Sequence, residues 1–177
     1  MTDHMVPREA VATVSAKDGL IICLILLFSA IALTLELYWI VFNQDMEGRT
    51  DLLAQAIRLY WPADRTYRIA GYPVEKAFTL AVEMGNTLIT PILSAVLIWA
   101  IVKGKPYRYP LQLIIATYTA YGTLLYYGVV HISGYAIFEE KTVGTYLLFY
   151  GANFPWLAAY GWLGYDAFRA LVRGKRA

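Results

Sequence analysis

Long apolar stretches alternate with polar ones along this 177-residue chain. Gly19 to Phe42 reads GLIICLILLFSAIALTLELYWIVF, in which Glu36 is the one charge. About 20 apolar residues suffice to cross the hydrocarbon core of a bilayer as a helix. Three further stretches follow: Val74–Val102, Tyr109–His131 and Val143–Val172. The pattern predicts an all-α polytopic membrane protein, a four-transmembrane-helix bundle with an intramembrane pocket. Its expected divisions are a polar N-terminal tail over 1–18, a transmembrane domain over 19–172 (spans about 19–42, 74–102, 109–131 and 143–172) and a basic tail over 173–177. The tail lacks the short apolar core and small-residue cleavage site of a signal peptide.

The longest polar segment is Asn43 to Pro73. Within it Leu52, Leu53, Ala56, Ile57, Leu59 and Tyr60 form a short helical stripe, which predicts an extra helix lying on the membrane surface or capping the bundle. Trp61-Pro62 should stop that helix. Ala63 to Tyr72 reads as an ordered loop, since so long a connection without its own core is usually packed on something or functional. Pro91 should kink the second span and free a carbonyl one turn earlier.

Composition agrees with the pattern. Hydrophobic residues make up 59% of the chain and charged ones 16%, against about 45–50% and ~25% in an ordinary soluble domain. A net charge of +2 gives no reason to expect nucleic-acid binding. Cys23 has no partner for a disulfide, and no metal-binding or phosphate-binding motif occurs, so neither a metal site nor a cofactor is expected. The 15 tyrosines and five tryptophans suit membrane interfaces or a pocket for a flat ligand. Four spans put both termini on one side, with Arg8, Lys17, Lys103, Lys105, Arg108, Arg169, Arg173, Lys175 and Arg176, against Arg49, Arg58, Arg65, Arg68 and Lys76 in or beside the long segment and Lys141 on the other. Basic residues in short flanks orient a bundle most strongly, so both termini are expected in the cytosol.

The candidate chemistry lies in Thr79–Pro91, TLAVEMGNTLITP. An acid at membrane depth is costly and normally marks a functional site facing the bundle interior. Glu83 is such an acid, Asn86 shares its helical face, and Glu36 interrupts the first span in the same way. At ~1.5 Å per residue, Glu36 lies ~10 Å from the non-cytosolic end of its span, and Glu83 and Asn153 ~14 Å from theirs. Tyr121 comes out at a similar depth, so one polar group from each span is expected in one layer. Two acids sharing a dry pocket suit an acid and a base acting on one substrate. They would equally serve as interhelical hydrogen-bond partners. Trp156 alone reads as packing, the tyrosines at the span ends and His131 as interfacial groups, and Asp64, Arg65 and Tyr67 as residues that hold the loop against the bundle.

Several blocks, in order and at compatible spacing, resemble the emopamil-binding protein family, whose enzymes are Δ8–Δ7 sterol isomerases and whose wider EXPERA superfamily includes the sigma-2 receptor. The blocks are LELYWIVF around Glu36, DRTYRIAG from Asp64, VEMGNTLITP around Glu83, KPYRYPLQL from Lys105, YGTLLYY from Tyr121 and NFPWLAAYGWLGYDA from Asn153. Together they cover Gly19 to Phe168. The family's first-helix and second-helix glutamates fall on Glu36 and Glu83, and its last-helix asparagine and tryptophan on Asn153 and Trp156. Two positions depart: the histidine one turn before the first glutamate is Ala32, and the aspartate after the YG pair is Thr123.

The resemblance implies a sterol double-bond isomerase of the Δ8-to-Δ7 type, with Glu83 and Glu36 catalytic and Asn153, Trp156, Tyr121, Asn86 and Tyr67 lining the substrate. Such an isomerase protonates one alkene carbon and removes a proton from the carbon beyond, through a carbocation. A buried carboxylic acid and a carboxylate can do both, and an indole face can stabilise the cation. The altered residues leave open a different second shell, another polycyclic lipid as substrate, or a sterol- and amphiphilic-amine-binding protein without catalysis. The partners implied are a sterol or related hydrophobic lipid and hydrophobic amines; a homodimer stays open. The implied location is the endoplasmic reticulum in a eukaryote and the inner membrane in a bacterium.

Overall fold

The computed structural model describes residues 14–174, so most of the N-terminal tail and the residues 175–177 lie outside it. Every regular element in the described residues is helical. The first rod begins at α1 (Ala16–Ile31), capped by Ser15, whose hydroxyl accepts the Asp18 amide. A five-residue π-helical segment, Ala32–Glu36, follows, and α2 (Leu37–Phe42) completes the rod. The Thr34 hydroxyl donates to the carbonyls of Ala30 at 2.6 Å and Ile31 at 3.3 Å. A side chain competing for helix carbonyls in this way loosens the α-helical ladder, and single π turns are frequent at functional sites.

The expected extra helix is α3 (Leu52–Arg58), capped by Asp51, and the loop beyond it holds a single 3₁₀ turn, Arg65–Tyr67. The second rod is α4 (Val74–Leu88) and α5 (Thr90–Val102), broken at Ile89. Pro91 sits at the start of α5, where its missing N–H costs least, so the expected kink is a clean break. A basic turn leads to α6 (Arg108–Ile132), and a second turn to α7 (Val143–Gly174).

Three rods are long and apolar enough to cross a membrane: Ala16–Phe42, Val74–Val102 and Arg108–Ile132. Four equally apolar spans were the expectation. α7 has the length, at 32 residues, but the tyrosines, tryptophans and glycines of its uncharged first half, with Asn153 and Pro155, make it less apolar than the other three. It packs along α6 in the most extensive helix–helix contact of the molecule. Ile21, Ile25, Phe28, Leu97, Ile115, Tyr160 and Leu163 form the shared core of α1, α5, α6 and α7. Leu20, Leu26, Leu27, Leu33, Val41, Ile92 and Ile114 face outward. An apolar exterior of this extent fits hydrocarbon, not water.

The start of α1, the start of α6 and the end of α7 meet at one end of the bundle. There Lys17 pairs with Asp166 at 2.6 Å and Arg108 with Asp18 at 2.5 Å. The first loop closes the other end. Lys76, fully buried at the start of α4, donates to the carbonyls of Asn43 and Ile69, each at 2.7 Å. Trp39 Nε1 donates to the Tyr67 carbonyl at 3.1 Å, and Arg68 bridges Glu47 and Glu139 at 2.8 and 2.9 Å. Trp39, Met46, Ala54 and Ile57 give this cap its own small core.

Lys76→Met should therefore loosen the cap. A buried acceptor left without its donor costs about 1–3 kcal/mol, and two carbonyls lose theirs. The variant should melt at a lower temperature in detergent, with earlier proteolysis between Asn43 and Ile69. Wild-type melting and proteolysis would show that the staple contributes nothing.

Candidate functional site

A cavity of about 210 Å³ lies where the first rod, the cap and α7 meet. Glu36, the last residue of the π segment, enters it from one side. Ala56, Ile57 and Tyr60 form its cap side with Tyr67, and Asn153 and Trp156, one turn apart on α7, form the opposite wall. No lysine, arginine or histidine is among the lining residues. The π turn carries one residue more per turn than an α-helix would, which resets the direction of the side chains that follow.

Glu83 stands directly behind this wall on α4. Its Oε1 accepts a hydrogen bond from the Tyr67 hydroxyl, and its carboxyl adjoins that of Glu36 and the side chain of Asn86. The Oε2 atoms of both glutamates are buried and without a hydrogen-bond partner among the described residues. Two adjoining carboxyls cannot both carry charge cheaply in a dry setting, and sharing a proton resolves the conflict.

The rest of the wall is rigid. Asn153 Nδ2 donates to the Tyr60 hydroxyl at 2.7 Å and to the Phe149 carbonyl at 2.8 Å. Trp156 packs on Phe28 at 4.3 Å between ring centroids and stacks on Tyr160 at 6.1 Å. Tyr67 lies between the rings of Trp39 at 4.4 Å and Tyr60 at 5.4 Å. Behind Tyr60 is a third buried acid. Asp64 accepts from the Thr66 amide at 2.7 Å and from the Tyr126 hydroxyl. Burial pushes the Asp64 carboxyl up to about 6, although those two hydrogen bonds pull it down. Burial, reinforced by Asp64, raises Tyr60 far above the ordinary phenol range, so it remains neutral.

The structure thus brings Glu36, Asn153, Trp156 and Tyr67 together around the cavity, with Glu83 behind the wall against Tyr67 and not among the lining residues. It places two other expected residues elsewhere. Asn86, although beside Glu83, and Tyr121 line a separate groove between α4 and α6, with Phe78, Val82 and Tyr118. Tyr121 is 59% exposed, so the single polar layer estimated from depth alone does not hold for it. Depth fixes a residue's height along a helix, and Tyr121 points outward at that height. Tyr60 and Tyr126 were not singled out in the sequence, where nothing separates them from the other tyrosines. His131, 19 residues before its partner Tyr150, bonds that hydroxyl at 2.8 Å and is not among the cavity-lining residues.

Asp64 gives a pH dependence with a definite sign. Its carboxyl binds a proton more tightly in the folded protein than the ordinary value of 3.8 allows. The stability it contributes is present in full below about 3.8 and is lost as pH rises through about 6. At ~1.36 kcal/mol for each tenfold change in proton affinity, the loss is on the order of 3 kcal/mol. Asp64→Asn keeps an acceptor for Thr66 but cannot titrate. Melting temperatures from pH 4 to 7 should fall more steeply for the wild type than for this variant, and parallel curves would refute the assignment.

A family model described as EBP: EXPERA (EXPanded EBP superfamily) matches residues 52–167. The matched segment carries Tyr67, Glu83, Asn153 and Trp156, while Glu36 lies before its start. The match spans well over half of the chain, and the protein belongs to the EXPERA superfamily, a sterol-related family of membrane proteins.

Proposed function

We propose that this protein is a sterol double-bond isomerase of the Δ8-to-Δ7 type, acting on a sterol or similar polycyclic lipid held in an intramembrane cavity. The observation that carries the reading is the pair of adjoining carboxyls from two helices, Glu36 lining a cavity walled by Trp156 and Asn153 and Glu83 directly behind that wall. One carboxyl of the pair holds a proton and the other does not. The protonated acid donates to one alkene carbon, and the carbon beyond becomes cationic. The carboxylate stabilises that cation and removes the proton that restores the double bond one position along. The face of Trp156 adds its quadrupole to the same task. Tyr67 holds Glu83 in place, and Asn153 with Tyr60 keeps the wall from collapsing onto Glu36. In this reading α7 is the fourth span, packed lengthwise on α6, and both termini lie in the cytosol.

The cavity is smaller than the roughly 300–1,000 Å³ of a typical ligand site. It suits the part of the ring system that bears the double bond, with the remainder lying toward its open side. A second reading, binding of a sterol or hydrophobic amine without turnover, draws on a specific departure. Ala32, where isomerases of the family have a histidine, is buried, and its carbonyl is 3.4 Å from the Thr87 hydroxyl that donates to it. Among the described residues no histidine lines the cavity with Glu36.

Incubation of the purified protein with a Δ8-sterol in deuterated water separates the readings. Isomerisation predicts one deuterium in the product. Glu83→Gln should lower turnover by about 10²–10⁴-fold, with sterol binding less affected because ring burial supplies most of its energy. Unlabelled, unchanged sterol with wild-type protein that binds it would favour the binding-only reading.

Amines test the charge of the cavity. A site that stabilises a carbocation should hold a hydrophobic ammonium, which mimics that charge. Glu36→Gln and Glu83→Gln should each weaken such binding. Equal affinity of wild type and both variants would mean that neither acid faces the ligand.

A further inference from the structure

At the opposite end of the bundle from the cap lies a groove of about 360 Å³ that plays no part in the proposed chemistry. Its charged lining is Lys17, Asp166, Arg169 and Arg173. Asp166 is already engaged: it accepts from Lys17 at 2.6 Å and from Gln112 at 3.3 Å. Arg169 and Arg173 share one face of α7, one turn apart, and neither pairs with a carboxylate of the described residues. Arg169 sits over the Tyr165 ring at 5.4 Å. The remaining wall is aromatic, with Tyr109, Trp162 and Tyr165. Such rings settle at the level of lipid headgroups.

Tyr165 also belongs to a second groove, of about 350 Å³, that runs between α6 and α7. Its α6 side is Leu113, Ala116, Thr117 and Ala120, which continue the face begun by Tyr109 in the basic groove. From Tyr109 to Ala120 the stripe is ~16 Å long, about half of the ~30 Å hydrocarbon core and so one leaflet deep. On the α7 side the groove is shaped by Gly161, Gly164 and Phe168. A cation-rich rim at headgroup level thus opens onto an apolar channel of acyl-chain length.

We infer that this composite groove is a binding site for an anionic phospholipid, its phosphate held by Arg169 and Arg173 and one acyl chain lying between α6 and α7. The charge calls for an anion and the channel for a chain, so a lipid phosphodiester satisfies both and a free phosphate only the first. Lys17, fixed by Asp166, closes the rim on the α1 side. Basic pockets between helices at a membrane face are a known means of holding acidic headgroups. The site is remote from Glu36 and Glu83, so it stands whether or not the cavity catalyses.

The test uses the full chain reconstituted in vesicles of equal phosphatidylglycerol and phosphatidylcholine, with lipids retained after extraction counted by native mass spectrometry. Each basic residue near a charged surface is worth about fivefold in attraction. Wild type should therefore retain phosphatidylglycerol over phosphatidylcholine by roughly tenfold or more. Arg169→Gln with Arg173→Gln should bring that preference to within about twofold, while the two Lys replacements preserve it. A Cβ at Gly161 meets nothing within 4 Å, so Gly161→Leu can project its side chain into the channel from open space. It should cut retention of both lipids by at least about fivefold and leave the headgroup preference intact. Millimolar inorganic phosphate should displace neither lipid. Equal retention of the two lipids by wild type would overturn the inference. So would displacement by phosphate alone, or a protein dimer that Gly161→Leu breaks without changing lipid retention. Circular dichroism of each variant confirms that it is folded.

Discussion

The structure depends on keeping two carboxyl groups out of water and beside each other. Glu36 and Glu83 come from different rods, and among the described residues neither has a cation to offset its burial. Charged side chains in the membrane interior are expensive. The surrounding architecture supplies the pair with a fixed hydroxyl donor. Tyr67 donates to Glu83 from the cap, and the cap is in turn fastened by Lys76, Trp39 and Arg68. Loop, turn and helix thus serve one pair of acids.

The cap also explains why so long a connection is ordered. Its backbone groups find partners in the bundle and in the loop before α7: the Arg65 amide donates to Ile137 at 2.9 Å and the Glu139 amide to Pro62 at 3.1 Å. Buried backbone groups need such partners wherever water is absent. Asp64 is the centre of this layer, since it orders its own turn and anchors Tyr126 of α6 from one carboxyl.

Much of this was legible in the sequence. Apolar runs located the rods to within a few residues, because the bilayer sets both their length and their composition. Glu36 and Glu83 stood out because an acid in such a run is costly and calls for a partner or a function. The break at Pro91 followed from a missing N–H. Other features left no mark. The π segment carries no pattern of its own, since Thr34 resembles any other threonine in an apolar helix. Tyr121 had the right depth and the wrong azimuth, which depends on how α6 rotates against α4 and α7. Tyr60 and Tyr126 gain their places from tertiary contacts among 15 tyrosines that composition cannot tell apart.

The π segment has a consequence for how this rod can vary. It ends at Glu36, and a π turn holds one residue beyond what an α-helical turn would hold. Removing any single residue between Ala32 and Leu35 would let the segment rewind as an α-helical turn, with α1 and α2 keeping their bearing relative to each other. The rod can accordingly shorten by one residue here without turning the helix beyond. Substitutions in this stretch alter the surroundings of Glu36, whereas a one-residue deletion within the regular turns of α1 would swing the residues before the gap by ~100° relative to the acid.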